Sequence, residues 1–189
     1  MSQDLSTKDR IRQEALHLFA EQGIAAVSVK QIAAAVGMTA SNLYAHYKSR
    51  DDLIEDLFCA GYADYGRRLA EVAGRPAPFH DRLEAMVRLI CRLHDEDADL
   101  FRFLLLTQHR NLPGIDARSP LNPVEIVQRT VESAIAAGDI PAARDPAVTA
   151  AAVIGCVLQP AVFCTYGRLG RTMTEAADDI VALCGKLVS

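Results

Sequence analysis

Residues 28–52 read SVKQIAAAVGMTASNLYAHYKSRDD, and this stretch decides the fold. Ser28 is an N-cap residue ahead of Val29, Ile32, Ala33 and Val36, an apolar stripe spaced for one face of a short helix that Gly37 ends. Thr39 caps a still shorter helix over about Ala40 to His46. Two short helices with a glycine at the corner make a helix-turn-helix. The second is too short to hold its shape alone, so Leu43 and Tyr47 must pack it onto its neighbours. Its other face is Ala40, Ser41, Asn42, Tyr44, Ala45 and His46, small or hydrogen-bonding and free of acids. Such a helix can enter a major groove without repelling phosphate.

Upstream, Thr7 is the expected cap of a helix carrying Ile11, Ala15, Leu18 and Phe19 on one face, and Gly23 ends it. Downstream, Ser49 starts a fourth helix whose Asp51 and Asp52 suit the positive end of its dipole. It runs to about Ala73, where Gly74, Pro76 and Pro78 break it. Further helices are expected from Phe79 to His94, Ala98 to His109, Asn122–Pro123 to Gly138, Pro146 to Tyr166 and Thr174 to Leu187, with a turn-rich stretch from Asn111 to Pro120. No alternating strand pattern and no internal repeat is present. The fold class is all-α: an N-terminal three-helix domain with the helix-turn-helix over residues 1–50, then a larger helical ligand-binding and dimerisation domain over residues 51–189.

Composition agrees. Half of the 189 residues are hydrophobic and 23% are charged, enough apolar material for a core. The net charge of -4 is uneven: the first 50 residues carry six basic side chains (Lys8, Arg10, Arg12, Lys30, Lys48, Arg50) against four acidic ones (Asp4, Asp9, Glu14, Glu21). A mildly basic head on an acidic body fits a segment that meets DNA. Five scattered cysteines without a C-x-x-C pair, and a polar start without a signal-like stretch, predict reduced thiols and a cytoplasmic protein. Pro146 to Tyr166 lacks charge over nearly a membrane-spanning length, but Thr149, Gln159, Pro160, Thr165 and its many alanines read as a helix buried by protein on most sides, with no membrane partner.

The strings LFAEQG, VKQIAAAV and GMTASNLYAHYKSRDDL, within Arg10 to Leu57, resemble the DNA-binding signature of the TetR family (TetR/AcrR type) of bacterial transcriptional regulators. The resemblance covers roughly a quarter of the chain; beyond it only helix number and length agree. It implies that Thr39 caps the recognition helix and touches a phosphate, and that Ala40, Ser41 and Tyr44 face base edges. It further implies that Asn42, His46 and Lys48 hold backbone phosphates, with Ser28 and Lys30 within reach of a phosphate or a base from the preceding helix. Phosphate contacts set register and base contacts specify sequence. Met38 and Tyr47 stand where valine and phenylalanine are commoner, and the short Ala40 points to thymine-methyl contacts and shape readout.

A TetR-like body implies a homodimer, since two recognition helices roughly 34–36 Å apart read a palindromic double-stranded operator. The expected subunit seam uses Val153, Val157, Leu158, Ala161, Val162, Ile180, Leu183 and Leu187 in an intersubunit four-helix bundle. Candidate liners of an effector pocket are Tyr62, Tyr65, Met86, Ile90, His94, Phe101, Phe103, Leu104, Gln108, Phe163 and Tyr166, an apolar set that suits a small hydrophobic or aromatic molecule. The functional expectation is a ligand-responsive repressor released from DNA by such an effector.

Two alternatives stand beside it. Cys91 and His94 share a helix face and could belong to a metal-sensing regulator, although no matching second ligand pair is present for a structural zinc. A small-molecule-binding helical protein without DNA readout is the other. No nucleophile elbow, phosphate-binding glycine loop or H-E-x-x-H is found, so no enzyme is expected, and neither cofactor nor bound metal is assigned.

Overall fold

The computed structural model describes residues 6–189; Asp4, counted in the charge of the head, lies outside them. The described residues form nine α-helices and no strand: α1 (Thr7–Gln22), α2 (Val29–Val36), α3 (Ala40–His46), α4 (Arg50–Ala73), α5 (Phe79–Glu96), α6 (Ala98–Asn111), α7 (Pro123–Ala137), α8 (Pro146–Thr165) and α9 (Ala177–Val188). A 3-10 turn at Leu112–Gly114 follows α6. One boundary differs in its chemistry from expectation. Ser6, not Thr7, caps α1, its hydroxyl oxygen accepting from the Asp9 amide at 3.2 Å, because the helix starts one residue earlier than the apolar spacing alone indicates.

The chain divides into two compact units. The first holds the residues up to Gly61 together with Asp99–Gly114. Its core is built from Ile11, Ala15 and Phe19 of α1, Ile32 and Ala33 of α2, Leu43 of α3, Leu53 and Phe58 of α4, and Phe101 and Phe103 of α6, all buried. The Phe103 ring stacks on Phe19 with centroids 5.8 Å apart. Leu100 and Leu104 occupy the space a side chain at position 61 would need, so Gly61 lets α6 lie close on α4.

The second unit comprises Tyr62–Ala98 and Ile115–Ser189. In it α5, α8 and α9 pack against one another and α7 packs on α8. The segment before α7 lies directly on α4: a Cβ at Gly66 would come within 1.7 Å of the Leu121 carbonyl oxygen. Asn122 fixes that crossing, accepting from the Tyr62 hydroxyl at 3.0 Å and from the Val124 amide at 3.0 Å as the cap of α7. At the far end of α5, Asp95 accepts from the backbone amides of Met173 and Thr174 at 3.2 and 2.7 Å, holding the turn that leads into α9.

α8 is long and apolar enough, by length and composition, to cross a membrane, with a mean hydropathy of 2.0 over an 18-residue window. The expectation that it is buried on most sides is not met within the chain, where 28% of that window is buried. Thr149, Ala150, Val153, Val157 and Ala161 point into the unit. Val148, Ala151, Ala152, Gly155, Gln159 and Phe163 face outward and are exposed.

Candidate nucleic-acid interface

The interface starts with two capped helices. The Ser28 hydroxyl oxygen accepts from the Gln31 amide at 3.3 Å while the Gln31 side-chain oxygen accepts from the Ser28 amide at 2.8 Å, a reciprocal capping box. The Gln31 side chain also donates to Gln22 at 3.1 Å, which joins the start of α2 to the end of α1. Gly37 adopts the left-handed conformation (φ 77, ψ 32), and the Met38 amide donates back to the Ala33 carbonyl at 2.9 Å. That turn aims α3, whose first orphan donors include the Asn42 amide; the Thr39 side-chain oxygen accepts from it at 3.2 Å.

A seven-residue helix needs anchoring. Leu43 is completely buried and Tyr47 nearly so. Tyr47 ends in a hydroxyl that donates to Asp56 of α4 at 2.8 Å. The same carboxylate accepts from Arg12 at 2.8 and 3.0 Å and from Lys8 at 3.0 Å, both on α1. Burial works against the charged Asp56, yet the hydrogen bonds from Arg12, Lys8 and Tyr47 hold its pKa down at about 2. Burial and that same carboxylate push the Tyr47 phenol up, so it remains a donor at neutral pH. Two more arginines bind backbone carbonyls: Arg10 donates to Val36 at the end of α2 (3.1 Å) and Arg50 donates to Val27 ahead of it (2.8 Å).

With Leu43 and Tyr47 turned inward, Thr39, Ser41, Asn42, Tyr44, His46 and Lys48 are exposed, and Ala40 is half-buried. Tyr44 is 52% exposed although it is a large ring. Ser28 and Lys30 are exposed at the start of α2. All nine sequence-derived DNA candidates therefore fall in the first unit, on the outward parts of α2, α3 and the turn after α3. No acidic residue occurs between Ser28 and Arg50. Exposed Ala45 and Gln31, absent from the sequence-derived set, belong to the same helices. The Lys48 amide donates to Asp52 at 2.8 Å and the Asp52 amide to Ser49 at 3.0 Å, so the backbone carrying the lysine is fixed while its side chain is exposed.

The effector candidates are divided between the two units. Phe101, Phe103, Leu104 and Gln108 lie in the first unit, the first three buried in its core. Tyr62, Tyr65, Met86, Ile90 and His94 lie in the second, with Tyr65, Met86 and His94 buried. Burial pushes both tyrosine phenols up. Phe163 and Tyr166, also in the second unit, are 46% and 65% exposed, on and just after the outward side of α8. Of the expected dimer seam, Val153, Val157, Ala161 and Ile180 are buried within the chain, Leu158, Val162 and Leu187 are half-buried, and Leu183 is 52% exposed.

Cys91 and His94 sit on α5 as the spacing requires. Burial, then the nearby Asp95 charge, pushes the Cys91 thiol up to about 11. His94 donates through Nδ1 to Asp95 at 2.9 Å. Among the described residues no three His, Cys, Asp or Glu side chains come together to hold a metal ion.

An anchored three-helix head presenting an acid-free short helix defines the helix-turn-helix class. Residues 11–57 match the family model described as bacterial regulatory proteins, tetR family. The chain is 36% identical over 56 residues to the HTH-type transcriptional repressor KstR2 of Mycolicibacterium smegmatis, a match covering 30% of this chain and 27% of that protein. Matched stretches span about a quarter of the length of the curated relatives. Over nearly the whole chain the fold is that of solved regulators. A tetR-family bacterial regulatory protein from Rhodococcus RHA1 superposes with a TM-score of 0.79 at 20% identity, covering 98% of each chain. The transcriptional regulator FadR of Bacillus subtilis, solved in complex with stearoyl-CoA, superposes with a TM-score of 0.78 at 18% identity, covering 96% of this chain and 97% of that one. The likeness to the tetR family model is confined to the N-terminal domain, residues 11–57.

Proposed function

We propose that the protein is a ligand-responsive transcriptional repressor of the cytoplasm that binds a palindromic operator as a homodimer and leaves it when a small, largely apolar effector binds. The observation that carries the reading is the exposed, acid-free face of α3, held by a buried leucine and tyrosine in a tetR-family head. Thr39, Asn42, His46, Lys48, Ser28 and Lys30 supply phosphate contacts; Ala40, Ser41 and Tyr44 meet base edges. One seven-residue helix distinguishes few sequences, so two heads acting together are part of the proposal.

Pairing of subunits uses α8 and α9. The outward face of α8 is uncharged from Val148 through Phe163, and Leu183 of α9 is a large exposed apolar residue. A second copy covers this surface, with the half-buried Leu158, Val162 and Leu187 at its margin and the buried Val153, Val157, Ala161 and Ile180 backing it from inside.

Effector binding belongs to the second unit, where Tyr62, Tyr65, Met86, Ile90 and His94 are the candidate liners. Release requires an effector that favours the non-binding state by about 1–3 kcal/mol or more. Because a regulator of this fold was solved with stearoyl-CoA, long-chain acyl-CoA joins small aromatic and aliphatic compounds in the first panel to test.

The test is selection of source-genome fragments on purified protein at near-physiological salt. Enrichment of a two-fold symmetric site supports the reading, and its half-site spacing reports the separation of the heads. A folded dimer that enriches nothing, even after unfolding, dialysis and refolding to strip bound ligand, overturns it.

A further inference from the structure

The acid-free stretch that carries the DNA candidates ends at Asp51, three residues after Lys48. Three residues span at most about 11 Å, and the Lys48 amide, donating to Asp52 at 2.8 Å, closes the turn further. The side chains that open α4 have different partners. Arg50 donates to the Val27 carbonyl at 2.8 Å, with its guanidinium carbon 5.7 Å from the centre of the Phe19 ring. Asp52 is taken up by the Lys48 amide. The Asp51 carboxylate forms an ion pair at 2.8 Å with Arg110, from the last turn of α6. Both residues belong to the first unit, where the Phe103–Phe19 stack and the contact of Leu100 and Leu104 with Gly61 fix α6 on the head.

With Arg110 61% and Asp51 59% exposed, the pair adds little to stability. Its consequence is electrostatic. Asp51 suits the positive end of the α4 dipole, which favours an acid at this position, yet the same acid stands beside a lysine assigned to a phosphate. Arg110 reconciles the two demands. We propose that Arg110 masks the Asp51 charge from the operator and is thereby a determinant of DNA affinity that lies outside the helix-turn-helix. The inference rests on the functional reading above, with Lys48 on a phosphate. Uncovered, the Asp51 carboxylate repels that phosphate through solvent with a screening length of about 8 Å at physiological salt. Paired with the guanidinium, it presents almost no net charge to the duplex.

The experiment compares four full-length chains: wild type, Arg110→Ala, Asp51→Asn and the double variant. The probe is the duplex that the wild type enriches most strongly from genomic fragments, and binding is read by fluorescence anisotropy at several salt concentrations. Arg110→Ala weakens binding by about threefold to tenfold near physiological salt, and the deficit shrinks as salt rises. Asp51→Asn binds at least as tightly as the wild type, and the double variant returns to within about twofold of it. The sign at Asp51 decides the matter. A pair that only holds α6 on α4 weakens binding in both single variants and lowers both melting temperatures together. That pattern, or Arg110→Ala binding as the wild type does, overturns the proposal and leaves the functional reading intact. A double variant as weak as Arg110→Ala shows that Arg110 touches DNA itself, which also overturns masking. A wild-type chain that enriches no duplex overturns the functional reading and this inference with it.

Discussion

Asp56 receives four hydrogen bonds from three side chains, Lys8, Arg12 and Tyr47, and is the point where α1, the end of α3 and α4 are held together. Its folded pKa of about 2 lies below the ordinary carboxylate value near 3.9. The stabilisation is therefore present above pH about 4 and disappears as pH falls through 2. With the carboxylate side chain 24% exposed, its worth is at most about 1–2 kcal/mol after solvent screening. Asp56→Asn is expected to lower stability at pH 7 by about that amount and to flatten the acid side of the stability profile between pH 4 and 2. Urea melts across that range check it; parallel wild-type and variant curves would show that the cluster is not coupled to folding. On the outward face, Lys48→Ala is expected to weaken operator binding and reduce the salt slope by about one unit, as loss of one phosphate contact does. Tyr44→Ala should weaken binding with the slope unchanged. Fluorescence anisotropy at several salt concentrations separates the two, and unaltered affinity in both removes these residues from the interface.

At the scale of the element, α3 and α8 were legible to very different degrees. α3 has caps, a glycine turn and two inward anchors, so its inner and outer faces follow from a few residues. α8 is apolar on all sides, and a helix without polar punctuation does not announce which face its neighbours cover. The seam expected there mixed core residues (Val153, Val157, Ala161) with margin residues, while Phe163 and Tyr166, expected to line a pocket, are exposed. α4 carries a constraint that periodicity does not reveal. Gly66 lies under the backbone of Leu121, so Gly66→Ala has to displace the Ile115–Asn122 segment rather than a flexible side chain. A cost of about 2–4 kcal/mol is expected, comparable to overpacking a tight core. Thermal denaturation measures it, and a change below about 0.5 kcal/mol would mean that the segment is free to move off α4.

For the molecule as a whole, the number of copies is the quantity to test. An apolar helix with 28% of its central window buried leaves surface that a second copy can cover. Leu183→Glu places a charge on that surface without touching the buried core of the second unit. The expected result is a rise of at least tenfold in the dimer dissociation constant, equivalent to about 1.4 kcal/mol. Operator affinity should fall with it, because one head alone reads one half-site. Analytical ultracentrifugation and operator titration give both numbers. A variant that still dimerises as the wild type would move the subunit contact elsewhere.

The sequence by itself determined the all-helical class, the positions of the helices to within a few residues, the helix-turn-helix and the outward face of its second helix. These depend on short-range chemistry: capping side chains, glycines at left-handed turns and apolar spacing within one or two turns of helix. Tertiary structure decided what depends on residues far apart in the chain. It brought α6 into the first unit, with Phe103 stacked on Phe19 across 84 positions of sequence. It gathered Lys8, Arg12 and Tyr47 on Asp56 and set Gly66 beneath Leu121. It also chose which side of α8 is core. The physical reason is common to all of these: a side chain's partner is set by how helices pack, and packing is a property of several surfaces fitting at once rather than of the spacing along any one of them.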